Sequence, residues 1–147
     1  PVGSLVLGSA AFIRQARRTR KILGGGMRQA GVLAAAGHYA LQHHVRRLAE
    51  DHANLHTLAS GLRAVGENHP VLRGRITVHP WQTNILFTDV QADVAPAFTA
   101  WLAQHQIRVT SSLYGGQSRL RWVTHLDVNA ADVQAALDCV ARFTLPG

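Results

Sequence analysis

Residues 24–29 read Gly24-Gly25-Gly26-Met27-Arg28-Gln29, and this loop parts two helical segments of the chain. Three glycines in a row give a backbone that enters regions closed to residues with a Cβ and leave its amides open to approach. Arg28 then opens a long apolar-periodic stretch. A glycine run ahead of a helix start gathers unpaired N–H groups and the positive end of a helix dipole, which suits an anion. A helix–helix turn with incidental arginines is the plainer reading, since short glycine patterns recur widely.

Working outward, residues 2–7 (Val-Gly-Ser-Leu-Val-Leu) read as a buried strand, followed by a helix near 9–22. Residues 28–42 form a small-residue helix through Ala34, Ala35, Ala36 and Gly37. From 45 to 64, Val45, Leu48, His52, Leu55, Ala59 and Leu62 recur in steps of three and four, one stripe of an amphipathic helix, with His43 and His44 at the bend before it. After Gly66 the period changes. Strands are expected at 74–79 and 84–89, a helix near 93–105, short strands near 107–110 and 119–124, and a last helix from 130 to 143 with Asn129 as its N-cap. This ββαββα order predicts a small antiparallel or mixed sheet with helices on one face. The chain divides on this reading into 1–66 and 67–147.

Composition sets the class. At 147 residues, with 47 % apolar and 16 % charged residues, the chain is globular and about one domain in size. No apolar run reaches the roughly 18–20 residues needed to span a bilayer. Cys139 is the single cysteine, so no internal disulfide forms. The chain opens at Pro1 in what reads as mid-strand, with Met27 its one methionine, as expected for the C-terminal portion of a longer protein. Lys21 is the only lysine, and the first 49 positions carry no acid. Arg14, Arg17, Arg18, Arg20 and Lys21 could track phosphates of nucleic acid or an acidic partner. At helical spacing, however, they spread over more than one face and lack an aromatic stacking ladder.

Other candidate chemistries are thin. His52 and His56 stand at i, i+4, but no acid or cysteine cluster completes a metal site, and none is expected. Cys139 has no basic neighbour in sequence and reads as a structural thiol. Neither a nucleophile elbow nor a P-loop is present. Within 119–124, Arg119 and Arg121 point to one side and Leu120, Trp122 and Thr124 to the other. An arginine on a strand offers a fixed fork for a carboxylate; a surface arginine paired with an acid such as Asp127 is the plainer alternative.

Several segments together resemble the low-specificity L-threonine aldolases. They are Pro1-Val2-Gly3-Ser4, Arg20-Lys21 leading into Gly24 to Gln29, Leu33 to Gly37, Arg47 to His52, Thr83 to Phe87 and Arg121 to Val128. The resemblance covers nearly the whole chain. It implies an α/β (locally α+β) architecture: the C-terminal part of a fold-type I, aspartate-aminotransferase-like enzyme dependent on pyridoxal 5'-phosphate. Residues 1–66 would be a remnant of the large cofactor-binding domain and 67–147 the small α+β domain.

The same resemblance implies a lyase of amino acid metabolism, cytoplasmic and homotetrameric or dimeric, that cleaves L-threonine or L-allo-threonine to glycine and acetaldehyde. Arg121 matches the arginine that binds the substrate α-carboxylate. Arg28 and Lys21 match basic, cofactor-binding positions near the active site, where the resemblance implies that the glycine loop of one subunit reaches the cofactor phosphate of its neighbour. The Schiff-base lysine falls before Pro1, so the fragment alone is expected to be inactive. A basic helical module for nucleic acid or an acidic partner is the alternative function.

Overall fold

The computed structural model describes residues 3–145. The elements run α1 (Ala10–Ile22), α2 (Gly31–His43), α3 (Leu48–Asn68), β1 (Ile76–Val78), β2 (Ile85–Val90), α4 (Ala95–Gln104), β3 (Thr110–Tyr114), β4 (Gln117–Val123) and α5 (Ala130–Ala141). They fall into two compact units, Pro1–Arg46 and Arg47–Gly147.

In the first unit, Ser9 caps α1 by accepting from the Phe12 amide at 3.3 Å. The helix ends as Gly24 turns left-handed at φ +81°. A Cβ on Gly25 would stand 2.9 Å from the Arg20 carbonyl oxygen, so the turn needs glycine there. The next helix starts at Gly31 rather than at Arg28, because Gln29 takes φ +51° and interrupts the helical backbone. The strand expected over 2–7 forms no ladder over residues 3–7; Pro1 and Val2 lie outside the described residues. A strand exists only through hydrogen bonds to a neighbour, and Leu5, Val6 and Leu7 are exposed.

The second unit is built on one antiparallel sheet of order β1-β2-β4-β3. Its last two strands are joined by Gly115 and Gly116 at φ +58° and +78°. Two successive positive φ values are what a two-residue hairpin of matching twist requires. That turn pulls the third strand to Thr110–Tyr114, against the 107–110 expected, and starts the fourth at Gln117. Strand alternation gives each side its character. Leu86, Thr88, Val90, Leu120 and Trp122 are buried on one side, while Phe87 and Arg121 are exposed on the other.

The buried side carries the core. Leu55, Leu58, Ala59 and Leu62 of α3 pack with the sheet residues and with Phe98, Leu102, Val133, Val140 and Phe143. Val45, Leu48 and His52, expected on this stripe, are exposed; Asp51 takes the buried place instead. Asn129 caps α5 as expected, in a capping box with Asp132. The expected boundary at 66/67 and the observed one at 46/47 differ by α3, whose apolar stripe belongs to the core of the second unit.

Candidate functional site

The outward side of the sheet gathers the polar chemistry. Antiparallel register sets Asp89 opposite Arg119 and Phe87 opposite Arg121 on the β2 flank of β4. On the β3 flank it sets Ser112 opposite Arg119 and Thr110 opposite Arg121. Directly opposed residues share a face, so both arginines stand outward, as their spacing predicts. Their partners differ completely.

Arg119 is engaged from every side. Its Nε and Nη2 donate to the two carboxylate oxygens of Asp89 at 2.7 and 2.8 Å. Its guanidinium carbon lies 3.9 Å from the ring centre of Tyr114. His79 Nε2 stands 2.7 Å from Asp89 Oδ2 and 3.3 Å from Arg119 Nη2. The Arg119 hydrogen bonds, opposed by burial and helped by His79, hold the Asp89 carboxyl down at about 2. Arg121 has no ion-pair partner and no side-chain hydrogen bond among the described residues, and it is exposed. The expected competitor, Asp127, is turned to solvent and stands 3.7 Å from His125.

The far end of β4 is anchored. Thr124 Oγ1 donates to the Asp51 carbonyl at 2.7 Å, while the Thr124 amide and carbonyl bond to Asn84 at 3.0 and 2.9 Å. Asn54 Nδ2 donates to the Val128 carbonyl at 3.1 Å. Arg47 in turn grips the Asp51 carboxylate through two nitrogens at 2.9 and 3.2 Å. Three of the quoted sequence segments (47–52, 83–87 and 121–128) therefore meet in one hydrogen-bonded knot, three residues beyond Arg121.

In the first unit, Lys21 and Arg28 flank the glycine turn. A Cβ on Gly26 would stand 3.4 Å from Lys21 Nζ, so the amine lies over that glycine. The Gly24 and Gly25 amides close the turn on the Lys21 and Arg20 carbonyls. The amides of Gly26, Met27 and Arg28 have no protein partner among the described residues. An ammonium over open amides is a donor set that fits a phosphate, and Arg28 follows that loop in sequence.

Other candidates resolve plainly. His56 packs against the Trp81 ring at 5.7 Å. Burial pushes the Cys139 thiol up, away from reactivity. No helix among the described residues is long and apolar enough to cross a membrane. The Asp89–Arg119–His79 array joins residues 79, 89 and 119, which no motif in the sequence links. Gly115-Gly116 signals only the pairing of β3 with β4; the partner that β2 brings to Arg119 leaves no mark in the sequence.

Comparison with known proteins adds a family. The beta-eliminating lyase family matches residues 1–93. The low specificity L-threonine aldolase of Escherichia coli O157:H7 is 42 % identical over 129 residues, covering 88 % of this chain and 34 % of its own length. The low-specificity L-threonine aldolase 1 of Arabidopsis thaliana is 37 % identical over 148 residues, covering 99 % and 39 % respectively. The chain thus spans a little over a third of the length of these relatives. Among solved structures, 8-amino-7-oxononanoate synthase from Francisella tularensis superposes with a TM-score of 0.56 at 17 % identity, over 74 % of this chain and 30 % of that one. That likeness concerns the fold.

Proposed function

Because the chain belongs to the beta-eliminating lyase family, we propose that it supplies one part of a pyridoxal-phosphate-dependent aldolase acting on L-threonine or L-allo-threonine, with glycine and acetaldehyde as products. The observation that carries this reading is Arg121. It is a guanidinium without a protein partner among the described residues, on an inner strand of the sheet, beside a second arginine that is fully engaged.

On this reading Arg121 binds the α-carboxylate of the amino acid through a two-pronged charge-assisted contact. The knot at Thr124, Asn84 and Asp51 fixes the strand that bears it, so the carboxylate, and with it the Cα–Cβ bond, is held in one orientation. Lys21, Arg28 and the open amides after Gly25 take the phosphate of the cofactor held by a neighbouring subunit. Pyridoxal phosphate, when bound, supplies a ring that accepts the electron pair released as Cα–Cβ breaks. The lysine that carries the cofactor is on this reading not Lys21, so these 147 residues alone release no glycine. A homo-oligomeric assembly, dimer or tetramer, and a cytoplasmic location go with the proposal.

The test joins these 147 residues to the remaining two thirds of the Escherichia coli relative, with pyridoxal phosphate and L-threonine supplied. Glycine release is expected, and Arg121→Ala is expected to cost about 2–4 kcal/mol in kcat/KM, as for a lost buried charge contact. Undiminished kinetics in that variant remove Arg121 from the site. A second reading, an acidic partner for α1, is favoured by its five cations and absence of acids; salt-sensitive DNA binding without glycine release would select it.

A further inference from the structure

Two arginines two residues apart on one face stand about 7 Å apart along the strand. Identical in chemistry, they are separated in behaviour by register alone. β2 brings a carboxylate, Asp89, to Arg119 and a phenyl ring, Phe87, to Arg121. β3 brings hydroxyls to both, Ser112 and Thr110, and sends Tyr114 diagonally under Arg119. His79, at the end of β1, adds a further contact to the Asp89–Arg119 pair. The outcome is a face with two guanidinium groups and one unclaimed charge.

We propose that the Asp89–Arg119 pair is a specificity device for the Arg121 site: it occupies the second arginine, so the face anchors an amino acid with one carboxylate and offers nothing to a second carboxylate on the side chain. This rests on the reading of Arg121 as the carboxylate receptor. Asp89 is nine-tenths buried and stays ionised far below neutral pH, so the pair is closed throughout the working range. Freeing Arg119 by removing that charge creates two cations at a spacing that short dicarboxylates can bridge, each head meeting one planar fork. The substrate class so defined is the α-amino monocarboxylate with an uncharged side chain.

The test is an NMR titration of the 147-residue chain, following the Nε–H signals of Arg119 and Arg121 against acetate, succinate and glutarate. In the parent chain, Arg121 shifts with all three at similar midpoints and Arg119 stays still. In Asp89→Asn both signals shift, and the midpoint for succinate or glutarate falls at least fivefold relative to acetate. Thr110→Asp, an exposed position opposite Arg121, repeats the Asp89 arrangement on the other arginine and weakens acetate at least tenfold. That variant keeps the idea testable should Asp89→Asn lose its fold, which signal dispersion would reveal. An unchanged dicarboxylate ratio in folded Asp89→Asn, or full acetate binding in Thr110→Asp, overturns the proposal. Arg121→Ala separates the two claims. Acetate binding that survives this change, or its absence from the parent chain, defeats the receptor reading itself; binding lost here with no ratio change in Asp89→Asn defeats only the specificity device.

Discussion

Asp89 shows how one side chain links the sheet to pH. Its carboxyl sits at about 2 in the folded chain against an ordinary value of 3.8, held there first by Arg119. A lowered carboxylate stabilises the fold above the unfolded value and loses that contribution as pH falls through the folded one. The contribution is therefore whole above about pH 4 and gone near pH 2, and amounts to about 1–2 kcal/mol once solvent screening is allowed for. Asp89→Asn is expected to melt below the parent at pH 7, with the two melting curves converging as pH drops from 4 to 2. A constant gap across that range would show that the pair is not the source. The outward placement of Arg119 and Arg121 was legible from alternation alone. Their division of labour was not, because the partner strand lies some 30 residues away and register is set by a core that local spacing does not describe.

Among the elements, helices were more legible than strand ends. Apolar steps of three and four gave α3, α4 and α5, and Asn129 marked the start of the last because its side chain satisfies the Ala131 and Asp132 amides. Asn129→Ala removes that cap and leaves Asp132 without its reciprocal role; a loss of about 1 kcal/mol is expected. For a unit of this size, that lowers the midpoint of thermal unfolding by roughly 4–8 °C, which calorimetry reads directly. β3 begins about three residues beyond the expected 107–110, since its wholly exposed positions carry no alternation to read. α2 starts later than its apolar pattern suggests because a left-handed Gln29 leaves no mark in hydropathy.

At the scale of the whole chain, stability is uneven. Among the described residues, every buried core residue lies in the second unit, and neither α1 nor α2 contains one. Amides in 10–43 are accordingly expected to exchange with deuterium orders of magnitude faster than those of β2 and β4, since local opening there exposes no packed apolar surface. Equal protection in both regions would contradict this division. The first unit also leaves Leu5, Leu7, Ile22, Leu23 and Val32 open to water, apolar surface that favours association. Self-association of the 147-residue chain is expected in light scattering; a clean monomer at millimolar concentration would count against it.

Trp122, whose indole nitrogen donates to the buried Thr88 hydroxyl at 3.0 Å, shares the second unit with the other two tryptophans, Trp81 and Trp101. The chain is thus an optical instrument that views only its second unit, about two thirds of its residues. Ultraviolet emission will register the sheet coming apart while staying blind to the loss of α1 and α2, which circular dichroism at 222 nm records. A thermal ramp monitored by both signals will therefore trace two curves where a uniformly cooperative chain would trace one.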